Sequence, residues 1–287
     1  MPSVDEDLAH RLLASQFPQW AELPLKRLEP AGSDNVILRL GEELSMRLPR
    51  GAWAAGQATK EHRWLPHLAP RLPLALPVPV GLGTPEFGYP WDWSVSRWLD
   101  GEAATVDGLT DPAEAAADLA AFFTSLRGLA PADELRDTSE RETLRSRDHD
   151  TREAIAAVEG TFDTTALTEV WDAALTAPEW AGEPVWVHGD MHNGNLLTVD
   201  GRLSAVIDFG GLGIGDPACD LVVAWTLFPA ATRPLFRAAL GLDDATWARG
   251  RGWAISTGLN AYTTYAAANP LVAANTTRQI TWALADR

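Results

Sequence analysis

Alternating apolar and polar positions predict a pair of antiparallel strands near the start of the chain. Val36–Leu40 and Leu44–Leu48 carry this pattern, and the turn residues Gly41–Glu43 separate them. Side chains alternate between the two faces of a strand, so the leucines and Met46 of the second strand share one face and Arg47 lies on the other. A hairpin with one apolar face is therefore predicted, with an arginine on its other face.

The pattern further along the chain predicts two helices and a third strand. A helix is expected at Lys60–Leu65, and it should end at Pro66 because proline disfavours the helical conformation of the residue before it. Trp93–Trp98 is predicted as a strand after a proline-rich connection. Asp111 and Pro112 have the order of an N-cap followed by proline at the first helical position, so a second helix should start there.

A second hairpin is predicted late in the chain. Asn195–Val199 and Arg202–Ile207 have the pattern of two strands, and the Asp-Gly pair between them is a strong signal for a tight turn. A short apolar strand, Val185–Val187, precedes this hairpin. We expect the hairpin to bring the residues at its two open ends, Asn195 and Asp208, beside each other.

Polar residues at the ends of these strands follow the order His-x-Asp, Asn, Asp-Phe-Gly that is typical of kinases. His188 and Asp190 come directly after the short strand, and Asn195 and Asp208 lie at the open ends of the hairpin. Phosphoryl transfer needs a carboxylate that faces the acceptor hydroxyl, and it needs oxygen ligands for Mg²⁺ on the phosphates. Asp190 fits the first requirement, and Asn195 with Asp208 fits the second.

The stretch His188–Leu197, together with Val206–Phe209 and Gly215–Leu221, resembles the aminoglycoside phosphotransferase family, the small-molecule branch of the protein-kinase-like fold. Gly189 stands where eukaryotic protein kinases have the arginine of His-Arg-Asp. The resemblance implies an α+β, bilobal protein-kinase-like fold. It implies a small N-terminal β-sheet lobe over residues 1–98 and a larger, mostly helical C-terminal lobe over residues 99–287.

The resemblance also implies roles for the motif residues. Asp190 would be the catalytic base, with His188 as its companion in the catalytic motif, and Asn195 and Asp208 would bind Mg²⁺. The leading prediction is an O-phosphotransferase that moves the terminal phosphate of ATP or GTP to a hydroxyl of a small molecule. An aminoglycoside or another sugar-containing antibiotic is the first candidate for that molecule.

The resemblance places the nucleotide in the N-terminal lobe. Backbone amides of the turn at Ala31–Asn35 are suited to cover phosphates, although the full glycine-rich pattern is missing. Arg47 stands where kinases have a lysine, and Glu61 is the candidate that orients it; an exposed strand arginine and a solvent-facing helix glutamate are the alternatives. The backbone of Ser96–Leu99 is the predicted hinge for the purine. The nucleotide-binding candidates are Ser33, Asp34, Asn35, Arg47, Glu61, Ser96, Arg97, Trp98 and Leu99.

Substrate contacts are expected near the catalytic loop and in the mixed-charge stretch Arg141–Val158. The candidates are Asp148, Asp150, His192, Asp216 and Trp225. The alternative for Asp148 and Asp150 is a solvated helix face with local ion pairs. Asp216 precedes a proline and is equally suited to cap the helix that follows.

Charge and composition narrow the class of partner. The chain has 23 basic and 39 acidic residues, and a formal charge of −16 disfavours nucleic acid and anionic membranes and suits a cationic sugar. The expected partner is therefore a small hydroxyl-bearing molecule, whereas the oligomeric state does not follow from the sequence. The acidic start and the absence of a long apolar run predict a cytoplasmic location. Cys219 is the single cysteine, so an internal disulfide is excluded.

Three other functions remain open from the sequence. A kinase of a small primary metabolite would use the same residues. A metal-dependent hydrolase is indicated by the compact set His188-x-Asp190-x-His192, although it gives no reason for Asn195 and Asp208. A catalytically silent binding protein with a kinase-like fold is the third, because the strand lysine is missing.

Overall fold

The structure, a computed structural model, describes residues 4–28, 34–131 and 142–286. The chain divides into two compact units. The N-terminal unit contains Met1–Gly101 and Ser204–Leu212, and the C-terminal unit contains Glu102–Leu203 and Gly213–Arg287. The short segment around Asp208 therefore belongs to the N-terminal unit, although most of the chain that precedes and follows it belongs to the other.

The N-terminal unit is built on a five-stranded antiparallel sheet in the order β1-β2-β3-β5-β4. Its strands are β1 (Leu25–Arg27), β2 (Asn35–Leu40), β3 (Leu44–Pro49), β4 (Pro79–Gly83) and β5 (Trp93–Arg97). β2 and β3 form the first predicted hairpin, with Leu38 opposite Met46. The strand predicted at 93–98 is also present and ends one residue earlier.

One face of this sheet packs with helix α1 (Glu6–Gln16) in the core of the N-terminal unit. The buried apolar cluster draws on the helix and on three strands, with Leu12, Leu13, Leu38, Met46 and Trp93 among its members. The other face of the sheet carries Arg47 of β3, which lies directly opposite Ser94 of β5. The sheet therefore has an apolar face that packs with α1 and a polar face that carries Arg47 and Ser94.

Helix α2 (Gln57–Leu68) extends beyond its predicted end at Pro66. The prediction was wrong because Pro66 lies in the last turn, where the lost amide donor costs a single hydrogen bond and the chain leaves the helix soon afterwards. Leu65 and Leu68 on either side of the proline are buried, and their packing keeps the turn helical. A 3₁₀ turn at Ala69–Arg71 follows directly.

The C-terminal unit is mostly helical. Its α-helices are α3 (Pro112–Arg127), α4 (Asp148–Ala157), α5 (Thr164–Thr176), α6 (Val223–Thr226), α7 (Arg233–Ala239), α8 (Asp244–Tyr265) and α9 (Pro270–Ala285). Asp111 caps α3 by accepting from two backbone amides of its first turn, as predicted. The order of a sheet first and helices afterwards confirms the α+β class. No helix within the described ranges is both long and apolar enough to span a membrane.

Short strands frame the loops of the C-terminal unit. β6 (Glu102–Ala103) pairs with β8 (Leu196–Val199), and β7 (Val185–Val187) pairs with β10 (Gly213–Gly215). The second predicted hairpin joins β8 to β9 (Arg202–Val206). The two residues at its turn, Asp200 and Gly201, have φ angles of 52° and 75°, which are typical of the tight turn predicted for an Asp-Gly pair.

Helix α8 lies at the centre of the C-terminal unit, where it packs against α5, α9 and the 3₁₀ helix Pro217–Val222. Two glycines allow this close packing. A Cβ on Gly252 would lie 2.4 Å from the Cβ of Ala174, and one on Gly250 would lie 2.7 Å from Leu221. The backbone of α8 therefore contacts its neighbours at positions where any side chain would collide.

A buried ion pair holds the end of α9. The carboxylate of Asp286 accepts from Arg233 at 3.0 Å and from the indole N–H groups of Trp225 and Trp247 at 3.3 and 3.0 Å. The side chains of Arg233 and Asp286 are 4% and 18% exposed, so removal of the carboxylate leaves a buried guanidinium without its counter-charge. We expect Asp286→Ala to lower the free energy of unfolding by about 3 kcal/mol in urea denaturation.

The matched control for this prediction is Glu179→Ala. Glu179 pairs with Arg145 at 3.1 Å, but the side chains of Arg145 and Glu179 are 69% and 78% exposed. Exposed ion pairs contribute at most about 1 kcal/mol, so the control should stay within that range. Equal losses in the two variants would contradict the stabilising role of the buried pair.

Candidate active site

The loop after β7 brings Asp190 and Asn195 together. The amide nitrogen of Asn195 donates to the backbone carbonyl of Asp190 at 2.8 Å and to its carboxylate Oδ2 at 3.3 Å. Asn195 is buried, whereas the side chain of Asp190 is 61% exposed. A buried amide thus holds an exposed carboxylate, and it does so through the amide nitrogen of Asn195.

His188 supports this loop from inside the C-terminal unit. Its side chain is fully buried, and its Nδ1 accepts from the backbone N–H of Asp190 at 3.3 Å. In this structure the ring of His188 contacts the backbone of Asp190 from the protein interior. The catalytic role of His188 stays a prediction.

A second buried side chain, Asp220, anchors the start of the same loop. One carboxylate oxygen accepts from the backbone N–H of His188 at 2.9 Å, and the other accepts from that of Gly189 at 2.8 Å. Gly189 has a φ of 86°, a conformation that glycine adopts readily and other residues rarely do. Asp220 therefore holds the turn that aims Asp190 outward.

His192 lies beside Asp190. Its Nε2 is 3.9 Å from Oδ2 of Asp190, and its Nδ1 accepts from the backbone N–H of Gly194 at 3.0 Å. The ring is only partly buried, so it is open to a molecule that approaches Asp190. The position is compatible with the predicted substrate contact.

In the N-terminal unit, Arg47 joins two carboxylates. Its Nη1 donates to both oxygens of Glu61, at 3.0 and 2.8 Å, and its Nη2 donates to Oδ1 of Asp208 at 3.1 Å. Arg47 and Glu61 are both buried. The predicted contact between them is present, and neither side chain is the exposed residue that the alternative interpretation required.

The two carboxylates keep Arg47 charged. Burial alone would lower the pKa of Arg47, but Glu61 and Asp208 outweigh that effect, so its pKa is raised above the ordinary value. A guanidinium is a planar fork with several donors, whereas a lysine ammonium is a compact point charge. Arg47 uses this geometry to contact Glu61 and Asp208 with separate nitrogens.

Asp208 follows β9, whose end is fixed in the N-terminal unit by backbone hydrogen bonds between Ala75 and both Ser204 and Val206, at 3.1 and 2.9 Å. The backbone of Asp208 is left-handed, with a φ of 63°, which costs about 1 kcal/mol or more for a residue with a Cβ. Its carboxylate is 37% exposed, and Oδ1 faces Arg47. The carboxylate of Asp208 is a donor type that Mg²⁺ prefers. The same is true of the amide oxygen of Asn195, which belongs to the other unit.

The predicted phosphate loop is described in part. Ser33 lies outside the described residues. The side chain of Gln57 donates to Oδ2 of Asp34 at 2.8 Å and accepts from the amide of Asn35 at 3.3 Å. The end of the loop is thereby tied to α2. Sequence reasoning missed Gln57, because a polar residue at the start of a helix belongs to no recognisable motif.

The predicted hinge, Ser96–Leu99, lies at the end of β5. The side chain of Ser96 is fully buried, and its hydroxyl has no hydrogen-bond partner among the described residues. The backbone amides of Arg97 and Trp98 donate to protein carbonyls at 3.1 and 2.7 Å. Among the described residues, the backbone amide of Leu99 donates to no protein carbonyl.

Two of the substrate candidates are engaged inside the C-terminal unit. Asp148 accepts from Arg152 at 2.8 Å and from the indole N–H of Trp171 at 2.7 Å. Asp216 caps the 3₁₀ helix that follows it and accepts from Arg249 at 2.7 Å. Both contact sets match the structural alternatives for these residues.

Trp225 is fully buried, and its indole N–H donates to Asp286. The ring is enclosed by the packed helices and exposes no surface in this structure, so its contact with the substrate stays a prediction. Asp150 is exposed on α4 and remains a prediction.

The ligand set of a metal-dependent hydrolase is not assembled. Among residues 4–28, 34–131 and 142–286, the group of His, Cys, Asp or Glu side chains close enough to share an ion is His149, Asp150 and Glu153, all of them exposed. His188 is enclosed in the protein interior while the carboxylate of Asp190 is exposed, so the His-x-Asp-x-His set does not converge. This arrangement disfavours the hydrolase.

The chain is similar to known proteins in sequence and in structure. The profile of the phosphotransferase enzyme family matches residues 25–253. The chain also matches an aminoglycoside 3'-phosphotransferase from Escherichia coli at 42% identity over 57 residues, which are 20% of this chain and 21% of that protein. The match thus spans about a fifth of the length of that curated relative.

Solved structures share the fold over nearly the whole chain. The GDP and kanamycin complex of APH(2")-IIia has a TM-score of 0.72 at 20% identity, with 97% of this chain and 99% of that chain covered. Macrolide 2'-phosphotransferase MphH from Brachybacterium faecium, as apoenzyme, has a TM-score of 0.61 at 24% identity, with 99% and 98% covered. At these identities the likeness establishes the fold, and the predicted kinase-like α+β fold is confirmed.

Proposed function

Because the chain belongs to the phosphotransferase enzyme family, we propose that it transfers the terminal phosphate of ATP or GTP to a hydroxyl of a small molecule, with Mg²⁺ as cofactor. The proposed acceptor is an aminoglycoside or another sugar-containing antibiotic. The observation that carries this proposal is the contact of Asn195 with Asp190, because it sets an exposed carboxylate beside an amide oxygen suited to Mg²⁺. A base and a metal ligand then come from one short loop.

In this proposal Asp190 orients the acceptor hydroxyl and takes its proton. Phosphoryl transfer passes through a loose transition state, so most of the catalytic gain comes from positioning and charge stabilisation. The buried side chains of Asn195, His188 and Asp220 all bond to this loop and restrict the carboxylate of Asp190. These contacts support a role of the loop in aligning Asp190 with the acceptor.

Asn195 and Asp208 are the proposed ligands of Mg²⁺, which neutralises charge on the phosphates when it is bound. The chain orients both ligands in advance. The amide nitrogen of Asn195 is engaged with Asp190, so the amide oxygen is the atom presented to a cation. Arg47 bonds to Oδ1 of Asp208, so Oδ2 is the oxygen that we propose for the cation.

The donor nucleotide is proposed to bind along the polar face of the N-terminal sheet. Arg47 takes the place of the usual lysine and pairs with the phosphates, since a guanidinium binds phosphate bidentately. The loop that ends at Asp34 and Asn35 covers the same phosphates. The backbone amide of Leu99 is the proposed donor to the purine, because the amides of the two preceding residues are already bonded.

The choice of acceptor class rests on charge and on the relatives. The solved relatives include complexes with kanamycin, streptomycin and gentamicin, which are aminoglycosides, and macrolide phosphotransferases of the same fold. A formal charge of −16 favours a cationic acceptor over an anionic one. The proposed location is the cytoplasm, because ATP and GTP are available there.

The experiment that tests the proposal offers the purified protein Mg²⁺ with ATP or GTP and a panel of acceptors. The panel contains aminoglycosides, macrolides, other sugar-containing antibiotics and small primary alcohols such as choline. Mass spectrometry of each acceptor detects an added phosphate. We expect a phosphorylated aminoglycoside or sugar-containing antibiotic, and product formation should stop when EDTA removes the metal.

The other outcomes separate the alternatives. Phosphorylation of a small primary alcohol alone would assign the protein to metabolism instead of antibiotic modification. Nucleotide binding without transfer to any acceptor would favour the silent binding protein. Absence of nucleotide binding under all conditions would overturn the proposed function.

A further inference from the structure

Helix α2 presents three polar side chains on one face, Gln57, Lys60 and Glu61, at the spacing i, i+3 and i+4. Glu61 bonds to Arg47 and through it to Asp208. The other two side chains have no role in the mechanism described so far. Both contact the short 3₁₀ turn Phe209–Gly211 that follows Asp208.

Lys60 holds the backbone of this turn. Its Nζ donates to the carbonyl of Gly210 at 2.5 Å, a charge-assisted hydrogen bond made by a partly buried side chain. Gly210 lies only two residues beyond Asp208, whose left-handed backbone is unfavourable by itself. An anchor at Gly210 therefore restrains the conformation that directs the carboxylate of Asp208.

Gln57 packs against the same turn. A Cβ on Gly210 would lie 2.8 Å from the side-chain amide of Gln57, so the glycine provides the room in which that amide lies. The same amide bonds to Asp34 and Asn35 at the end of the predicted phosphate loop. One face of α2 thus contacts both the phosphate loop and the turn after Asp208.

We infer that Lys60 is a positioning residue for Asp208, and that Gln57 links the turn after Asp208 to Asp34 and Asn35 at the start of β2. This inference rests on the proposed function, in which Asp208 binds Mg²⁺ and the segment that ends at Asp34 and Asn35 binds the nucleotide. Lys60 acts through the backbone that carries Asp208. Its effect should therefore be seen in the turn itself and in the binding of Mg²⁺ with nucleotide.

The first test needs neither metal nor acceptor. Hydrogen exchange at residues 205–212 is compared in wild type, Lys60→Met and Lys60→Arg, with Lys26→Met as control. Lys26 is the other of the two lysines in the chain and is exposed on β1, so its replacement removes the same charge without this contact. We expect exchange at 205–212 to be several-fold faster in Lys60→Met, near the wild-type rate in Lys60→Arg, and unchanged in Lys26→Met.

The second test measures ADP affinity by calorimetry with and without Mg²⁺. Residues that support metal ligands typically alter metal affinity by about 10- to 100-fold when they are removed. We expect the gain in ADP affinity on addition of Mg²⁺ to fall by about 10-fold in Lys60→Met, to recover in Lys60→Arg and to persist in Lys26→Met.

Two results would overturn the inference: unchanged exchange and Mg²⁺ dependence in Lys60→Met, or faster exchange spread evenly over all strands of the N-terminal sheet. The second would show a general loss of stability instead of a local anchor. A wild-type protein that binds neither ADP nor GDP would overturn the proposed function, and exchange at 205–212 would still decide whether Lys60 anchors the turn.

Discussion

Asp190→Asn should lower kcat by about 10²- to 10⁴-fold, because an amide cannot take the proton of the acceptor hydroxyl. The affinity for nucleotide should change little, since the proposed donor contacts of Arg47 and Leu99 lie in the other unit of the chain. Asparagine preserves the size of the side chain, so the fold of the loop should persist. Steady-state kinetics with the acceptor found in the panel, together with calorimetry of ADP binding, measures both quantities.

Asp200→Asn is the matched control for this variant. It makes the same chemical change at an exposed turn residue whose φ of 52° asparagine tolerates. Its kcat should remain close to that of wild type. Retention of more than about a tenth of the wild-type kcat in Asp190→Asn would show that Asp190 is not the general base.

Arg47→Met should both destabilise the protein and abolish transfer. The substitution leaves the buried carboxylate of Glu61 without its counter-charge, and a broken buried pair costs about 3–5 kcal/mol of unfolding free energy. It also removes the guanidinium that is proposed to hold Asp208 and the phosphates. Urea denaturation measures the stability, and the acceptor assay measures transfer.

The double variant Arg47→Met/Glu61→Leu separates these two effects. It replaces the buried ion pair by apolar side chains, a change that is often neutral or stabilising. We expect most of the stability to return while activity stays absent.

Arg47→Lys should keep an ion pair with Glu61 but lose the second contact with Asp208, and activity should be intermediate. Wild-type activity in Arg47→Met/Glu61→Leu would show that Arg47 stabilises the fold but is not needed for transfer.

Local sequence patterns predicted local structure well. The β2–β3 hairpin, the Asp-Gly turn between β8 and β9 and the cap of α3 by Asp111 each depend on residues within one turn or one strand pair. Alternation in β3 also separated Arg47 from the apolar face of its strand. Each of these structures depends on contacts between residues that are close in sequence, such as alternating strand positions or a backbone N–H group near a capping carboxylate.

Burial and long-range contacts could not be predicted in the same way. Trp225 and His188 were predicted to lie at the site, yet both side chains are enclosed by packing that no spacing reveals. The helix across Pro66 persists because buried leucines on both sides stabilise it. The contacts of Lys60 with Gly210 and of Asp220 with His188 join distant parts of the chain and depend on the complete fold.

The measurement that tests the central claim most directly is transfer of an oxygen-labelled terminal phosphate from ATP or GTP to an acceptor, followed by mass spectrometry of the product. The account predicts that the labelled phosphoryl group appears on the acceptor, that the bridging oxygen is the acceptor's own hydroxyl oxygen, and that Asp190→Asn loses this product. Release of the label only as free phosphate, in wild type as in Asp190→Asn, would contradict a phosphotransferase that uses Asp190 to activate a hydroxyl.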